Sequence, residues 1–125
     1  MKRRPTIYYS ISEARAALPK IQEILLQIHK LRQRLRITAS RLESVSYSHQ
    51  PASDRKQLIT MMAESRDLLS RLSDAGVLVR DLDTGLIDFP SKRHGKDIFL
   101  CYEQGEETIN YWHGVDEGRS GRKPL

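Results

Sequence analysis

Apolar residues recur along the first half of the chain at Ile21, Ile24, Ile28, Leu31, Leu35, Leu42 and Val45, with the polar Thr38 standing in the one gap of the series. The steps alternate between three and four residues, the period of a helix that buries one stripe. Upstream, Ser10-Ile11-Ser12-Glu13 reads as a capping box, in which the Ser10 hydroxyl accepts from the Glu13 amide and the Glu13 carboxylate accepts from the Ser10 amide. The pattern therefore predicts helix from residue 10 to residue 45. Pro19 falls two turns into it, and an interior proline costs about 3 kcal/mol. A break or kink is the expectation, with a short helix followed by a long one that carries Pro19 in its first turn. Residues 6–9, Thr-Ile-Tyr-Tyr, are β-prone and predict an extended entry strand ahead of the cap.

The polar, aperiodic, proline-containing stretch 46–53 reads as a loop. Beyond it, Leu58, Met61, Ser65, Leu68, Leu72 and Ala75 repeat the helical spacing, with Asp54 and Gln57 as a cap and Gly76 at the left-handed position past the end. Two such helices joined by a short loop form an antiparallel hairpin. After Gly76 the period drops to two. Residues 77–82 and 86–89 read as strands around Asp83-Thr84-Gly85, with Pro90 as a stop and residues 91–96 as a basic turn. Residues 97–102 and 108–113 read as a second pair around residues 104–107, and 114–125 as a glycine-rich tail. The fold class expected is α+β: a long antiparallel helical hairpin packed with a small antiparallel β-sheet. The whole chain, 1–125, is one domain in this reading: entry strand or tail (1–9), hairpin (10–45 and 54–75), β-meander (77–113), tail (114–125).

Composition narrows the setting. The chain has 125 residues, a single cysteine (Cys101) and a net charge of +5. One cysteine excludes an intrachain disulfide framework and points to a reducing, cytoplasmic compartment. No apolar run approaches the ~20 residues of a membrane span, so no membrane partner is expected. The charge is asymmetric. Residues 1–50 hold ten Lys/Arg against three Asp/Glu, and residues 77–125 hold seven against nine. Lys30, Arg32, Arg34, Arg36 and Arg41 concentrate the excess on the first helix, where they suit either solvent or an acidic protein or RNA. The heptad seams also suit a homodimer through the hairpin.

Motifs of established chemistry are absent: no Walker sequence, no paired Cys-x-x-Cys, no His-Glu-x-x-His and no nucleophile elbow. What remains is a set of polar residues at strand ends. His113 ends the last predicted strand and is followed by Asp116 and Glu117; Asp88 closes another strand, and Glu13 starts a helix that should pack nearby. Imidazole plus carboxylate suits a divalent transition metal, so His113, Asp116, Glu13 and Asp88 are the candidate metal ligands. Arg122, Glu117 and Cys101 are candidate ligand-binding residues, with Arg122 folding back beside Asp88 or Asp116 to hold an anion. Cys101 is also a candidate nucleophile with His113 as base. Strand alternation puts Cys101 with Phe99 on one face, opposite Ile98, Leu100 and Tyr102. The alternative to a metal or ligand site is an interaction module in which the basic hairpin does the work.

Several stretches carry a family resemblance: residues 9–19, Gly76-Val77, residues 81–90, Leu100-Cys101-Tyr102, Gly105-Glu106, Trp112-His113 and Gly121-Arg122-Lys123-Pro124-Leu125. On these the chain resembles the uncharacterised bacterial proteins grouped as domain-of-unknown-function family 2203. It departs from that pattern at Tyr102, where a tryptophan is usual, and in a more basic first helix. The resemblance spans nearly the whole chain and implies no particular activity.

Overall fold

A computed structural model describes residues 5–125. The order of elements is α1 (Ile11–Glu43), α2 (Ala52–Asp74), β1 (Leu78–Asp81), β2 (Leu86–Arg93), β3 (Lys96–Glu103), β4 (Tyr111–Gly114) and β5 (Lys123–Pro124). The strands form one antiparallel sheet in sequence order, β1-β2-β3-β4-β5. The arrangement is α+β, a helical hairpin on a meander, as the change of period from 3.6 to 2 implies.

Helix α1 starts where the capping box places it, with the Ser10 amide donating to Glu13 Oε1 at 2.9 Å and the Glu13 amide donating to Ser10 Oγ at 3.1 Å. The break expected at Pro19 does not occur: one helix runs from Ile11 to Glu43 with Pro19 inside it. The physical reason lies on either side of the proline. Ala14, Leu18, Ile21, Leu25 and Ile28 follow one uninterrupted helical spacing, and all are buried in the same core. Each large apolar side chain buried there contributes about 1.5–3 kcal/mol, so together they outweigh one missing hydrogen bond. Pro19 itself is exposed.

Helix α2 starts two residues before the expected cap. Pro51 occupies the cap position, with its carbonyl accepting from the Asp54 and Arg55 amides, and Asp54 is left in the first turn without a capping hydrogen bond. There its carboxylate still complements the helix dipole. The loop between the helices carries one turn of 3-10 helix, Tyr47–His49. Gly76 ends the hairpin at φ +78°, the left-handed conformation its position calls for.

The core lies between the hairpin and one face of the sheet. Ile87 and Phe89 of β2 and Ile98, Leu100 and Tyr102 of β3 meet Leu18, Ile21, Leu25 and Ile28 of α1 and Met61, Leu68 and Leu72 of α2. The Tyr102 hydroxyl, buried at the center, accepts from Gln22 at 3.0 Å.

Three further expectations about the sheet are corrected. Pro90 does not stop β2, which continues to Arg93 before a tight turn at His94-Gly95. The carbonyl of Pro90 accepts from the Tyr9 amide at 2.7 Å, away from β3. In an antiparallel ladder a residue's N–H and C=O point to the same side, so the donor that proline lacks is not one β3 needs. Residues 6–9 do not form a strand; the Tyr9 backbone docks there, its carbonyl also accepting from Ser91 Oγ at 2.5 Å, and the Tyr8 hydroxyl donates to Asp97 at 3.0 Å. The remainder of the predicted N-terminal segment, residues 1–4, lies outside the described residues. Residues 114–125 are not a tail: they turn back through a 3-10 segment, Arg119–Gly121, and pair as β5 with β4.

Replacing exposed Pro19 with alanine restores the missing amide without removing a packed side chain. Pro19→Ala is expected to stabilise the protein by about 1–3 kcal/mol in a denaturant titration at unchanged slope.

Candidate functional site

Alternation gives β2, β3 and β4 a second face, turned away from the helices, and the register assembles a polar cluster on it. Asp88 stands opposite Cys101 across β2 and β3, and His113 stands opposite Phe99 across β3 and β4. Asp88 and His113, on the two strands that flank β3, lean over it and meet: His113 Nε2 lies 3.0 Å from Asp88 Oδ1. The small Cys101 side chain on the intervening strand leaves them room to do so. One ligand atom from each of Asp88, Cys101 and His113 lies within 4.8 Å of the others. All three residues are buried, at 1, 1 and 2% exposure.

The hydrogen bonds fix where protons sit. His113 Nδ1 lies 2.9 Å from the Gly114 carbonyl oxygen, which can only accept, so Nδ1 donates. On the other side, Nε2 and the Asp88 carboxyl share a hydrogen bond. Asp88 Oδ2 accepts from Arg80 Nε at 2.9 Å, and the Arg80 guanidinium lies 5.0 Å over the Phe99 ring. The buried carboxyl is thereby answered from two sides. Burial, and next the charge of Asp88, push the Cys101 thiol from 9.0 up to about 12. At neutral pH Cys101 is a protonated thiol, which argues against the nucleophile considered from sequence.

The cluster forms the floor of a cleft of about 460 Å³, with Arg80, Asp116, Glu117 and Arg119 around its walls. Glu117 is occupied structurally. Its carboxylate accepts from Lys123 Nζ and from the Gly114 amide, both at 2.9 Å, and these contacts hold its pKa below the usual carboxylate value. A Cβ at Gly121 would come within 2.6 Å of Glu117 Oε2, so the turn closes on this carboxylate only because glycine is there. Asp116 is exposed at the rim, and Arg119 Nε donates to Glu103 at 2.5 Å.

Of the candidate metal ligands, His113 and Asp88 come together, and Asp116 stands at the edge of the same cleft. Glu13 does not join them. It is exposed at the start of α1, and the hydrogen bond from the Ser10 amide, followed by that with the Ser10 hydroxyl, lowers its pKa. Arg122 does not reach Asp88 or Asp116. It is nearly buried, paired with Glu106 and stacked 3.9 Å over the Tyr111 ring, on the segment that leads into β5. Sequence reasoning missed Arg80. Its signal was the alternation from Leu78, but a bulge between Val79 and Asp81 sets the register that places it beside Asp88.

The basic set divides. Arg32 and Arg36 both pair with Asp83 at 3.2 Å, joining α1 to the β1–β2 turn. Lys30, Arg34 and Arg41 have no ion pair among the described residues; Arg34 borders a groove with Lys56 and Glu64 of α2. No helix among the described residues is long and apolar enough to cross a membrane.

A hairpin laid on one face of a meander, with a buried Asp-Cys-His cluster on the other, defines a small α+β protein with a polar site under its C-terminal segment. The chain belongs to the family described as "Uncharacterized conserved protein (DUF2203)", whose model matches residues 7–125. Neither the curated proteins nor the solved structures gave a match.

A protonated, buried thiol reacts slowly with electrophiles. In native protein at pH 8, Cys101 is expected to resist an aromatic disulfide reagent for hours and to react fully once unfolded, as absorbance of the released thiolate would record.

Proposed function

We propose that this protein binds a divalent transition metal, zinc foremost, through Asp88, Cys101 and His113. The observation that carries the reading is the convergence of three different ligand atoms within 4.8 Å on one buried sheet face. Carboxylate oxygen, thiolate sulfur and imidazole nitrogen are the three ligand types zinc takes. The outer contacts have the form that orients ligands at such sites: Nδ1 of His113 donates to a backbone carbonyl, and Arg80 holds the second oxygen of Asp88.

The spacing also fits. Bonds of about 2.0 Å from zinc to nitrogen and oxygen at a tetrahedral angle separate the two ligand atoms by roughly 3.3 Å. Asp88 and His113 stand at 3.0 Å, so a metal fits between them after a shift of a few tenths of an ångström. Three protein ligands leave a tetrahedral ion one position facing the cleft, the arrangement of catalytic rather than purely structural zinc.

Metal uptake then displaces the proton of the Cys101 thiol, because zinc binds the thiolate. Protein purified without chelator is expected to carry about one zinc by elemental mass spectrometry, and Cys101→Ser and His113→Ala to lose it while keeping the native circular-dichroism spectrum. Zinc affinity measured by competition with a chromogenic chelator should fall about tenfold per pH unit as pH decreases from 8 to 7, the signature of the one proton that the Cys101 thiol must give up. Metal-free native protein that takes up no added zinc would refute the reading.

A second reading rests on Lys30, Arg34 and Arg41, basic residues of α1 with no ion pair among the described residues: the hairpin docks an acidic protein or RNA. A homodimer through the same hairpin would cover Ile37 and Ile59, 65 and 67% exposed. Reversing all three cations to glutamate is expected to abolish salt-sensitive RNA retention on a filter and leave zinc content unchanged; retention equal to wild type at every salt concentration would remove this reading.

A further inference from the structure

The two arginines at the cleft share an unusual disposition. Arg80 uses Nε on Asp88, and Arg119 uses Nε on Glu103. In neither do the terminal nitrogens, Nη1 and Nη2, have a hydrogen bond or ion pair among the described residues. Both side chains line the same cleft and remain about half exposed there, at 44% and 57%. Each guanidinium is tethered at its inner nitrogen, and Arg80 is further held against Phe99. Holding the side chain in place removes much of the rotamer entropy that an arginine otherwise loses on gripping a ligand.

We infer that the cleft above the Asp88–His113 pair is a binding site for a small oxyanion, a carboxylate or phosphoryl group, gripped by the terminal nitrogens of Arg80 and Arg119. A planar fork of N–H donors matches two oxygens of such a group at once, a fit that a water molecule or a neutral ligand does not use. The acids nearby do not cancel the site. Glu117 is neutralised by Lys123, Asp88 is answered by His113 and Arg80, and Glu103 is paired with Arg119. Asp116 is the remaining acid of the cleft, and it stands exposed at the rim with no cation paired to it among the described residues. Its charge opposes an anion and limits how tightly a simple one is held. The cleft at about 460 Å³ takes a small molecule and not a folded partner.

The arginines and the cleft are formed without a metal, so this inference goes beyond the zinc reading and does not depend on it. The test uses the full chain stripped of metal with chelator, titrated in separate arms with inorganic phosphate and with acetate, while the side-chain Nε–H signals of Arg80 and Arg119 are followed by NMR. Saturable shifts of both signals are expected, and the arm with the tighter saturation tells a phosphoryl from a carboxylate ligand. Arg80→Gln and Arg119→Gln should each weaken binding about tenfold. Lys92→Gln, which removes the same charge outside the cleft, should change it less than about twofold. Asp116→Asn should tighten it. Shifts that grow linearly without saturation in both arms would overturn the inference, as would a loss for Lys92→Gln equal to that for Arg119→Gln. Because Arg119 is not bonded to the cluster, its variant keeps the test valid should Arg80→Gln disturb Asp88. Since no zinc is present, failure here leaves the metal proposal untouched, and failure to bind zinc leaves this one untouched.

Discussion

A carboxyl group taken out of water loses several kcal/mol of solvation unless partners replace it. Asp88 is 1% exposed, and the outer face of the sheet is organised around that demand. One oxygen faces His113 and the other accepts from Arg80, so the acid ties three elements together: β2 that carries it, β4 across the sheet, and β1 at the edge. His113 in turn needs an acceptor for Nδ1 and finds it in the adjacent Gly114 carbonyl, at the point where the chain leaves the sheet. Remove any one partner and a buried polar group is stranded, which is more costly than never having formed the set.

Satisfying the cluster also requires covering it. A sheet of five short strands has helices for one face only, so the other face depends on the C-terminal segment. That segment is held by contacts of its own: Lys123 to Glu117, Arg119 to Glu103, and Arg122 to Glu106 above Tyr111. The two more exposed pairs, at Lys123 and Arg119, contribute little singly, and Arg122 is the one that is nearly buried. Here they act with the β5 pairing to close a short segment over polar groups that water would otherwise reach. The half-buried set keeps solvent from the thiol while leaving a cleft open beside it, and a binding site needs both conditions.

How much of this the sequence disclosed follows from which signals are local. The hairpin was legible because Ile21 to Leu42 and Met61 to Leu72 repeat at helical spacing over many turns, and Gly76 marks its end. Pro19 and Pro90 misled for one reason: the rule against proline is local, whereas its force depends on what surrounds the missing amide. At Pro19 five buried neighbours hold the helix together, and at Pro90 the missing donor falls on the side where β3 is not. Cys101, Asp88 and His113 were each readable as strand residues, and all three lie within stretches that carry the family resemblance. Their meeting was not readable, because it depends on β3 lying between β2 and β4. Glu13 was assigned to the site by its helix start, but the capping box that made it visible also uses its carboxylate. Arg122 was expected to fold back toward the acids, and it does fold back, but its partners are Glu106 and the Tyr111 ring, both outside the set the strand ends suggested.

The cluster's chemistry is set by a competition for one position. Asp88 and His113 share a hydrogen bond at 3.0 Å, and the thiol beside them keeps its proton. A nucleophilic cysteine needs a base that draws the proton away, but the carboxylate charge and the burial around Cys101 do the opposite and favour the neutral thiol. In the metal reading proposed above, a dication would reverse both effects, since its charge stabilises thiolate and carboxylate together. The proposed metal-bound form would need no movement of the backbone, because β2, β3 and β4 are locked by the core on their other face. The rigidity comes from Phe89, Leu100 and Tyr102, the residues that never touch the site, and the choice of occupant comes from the three that do.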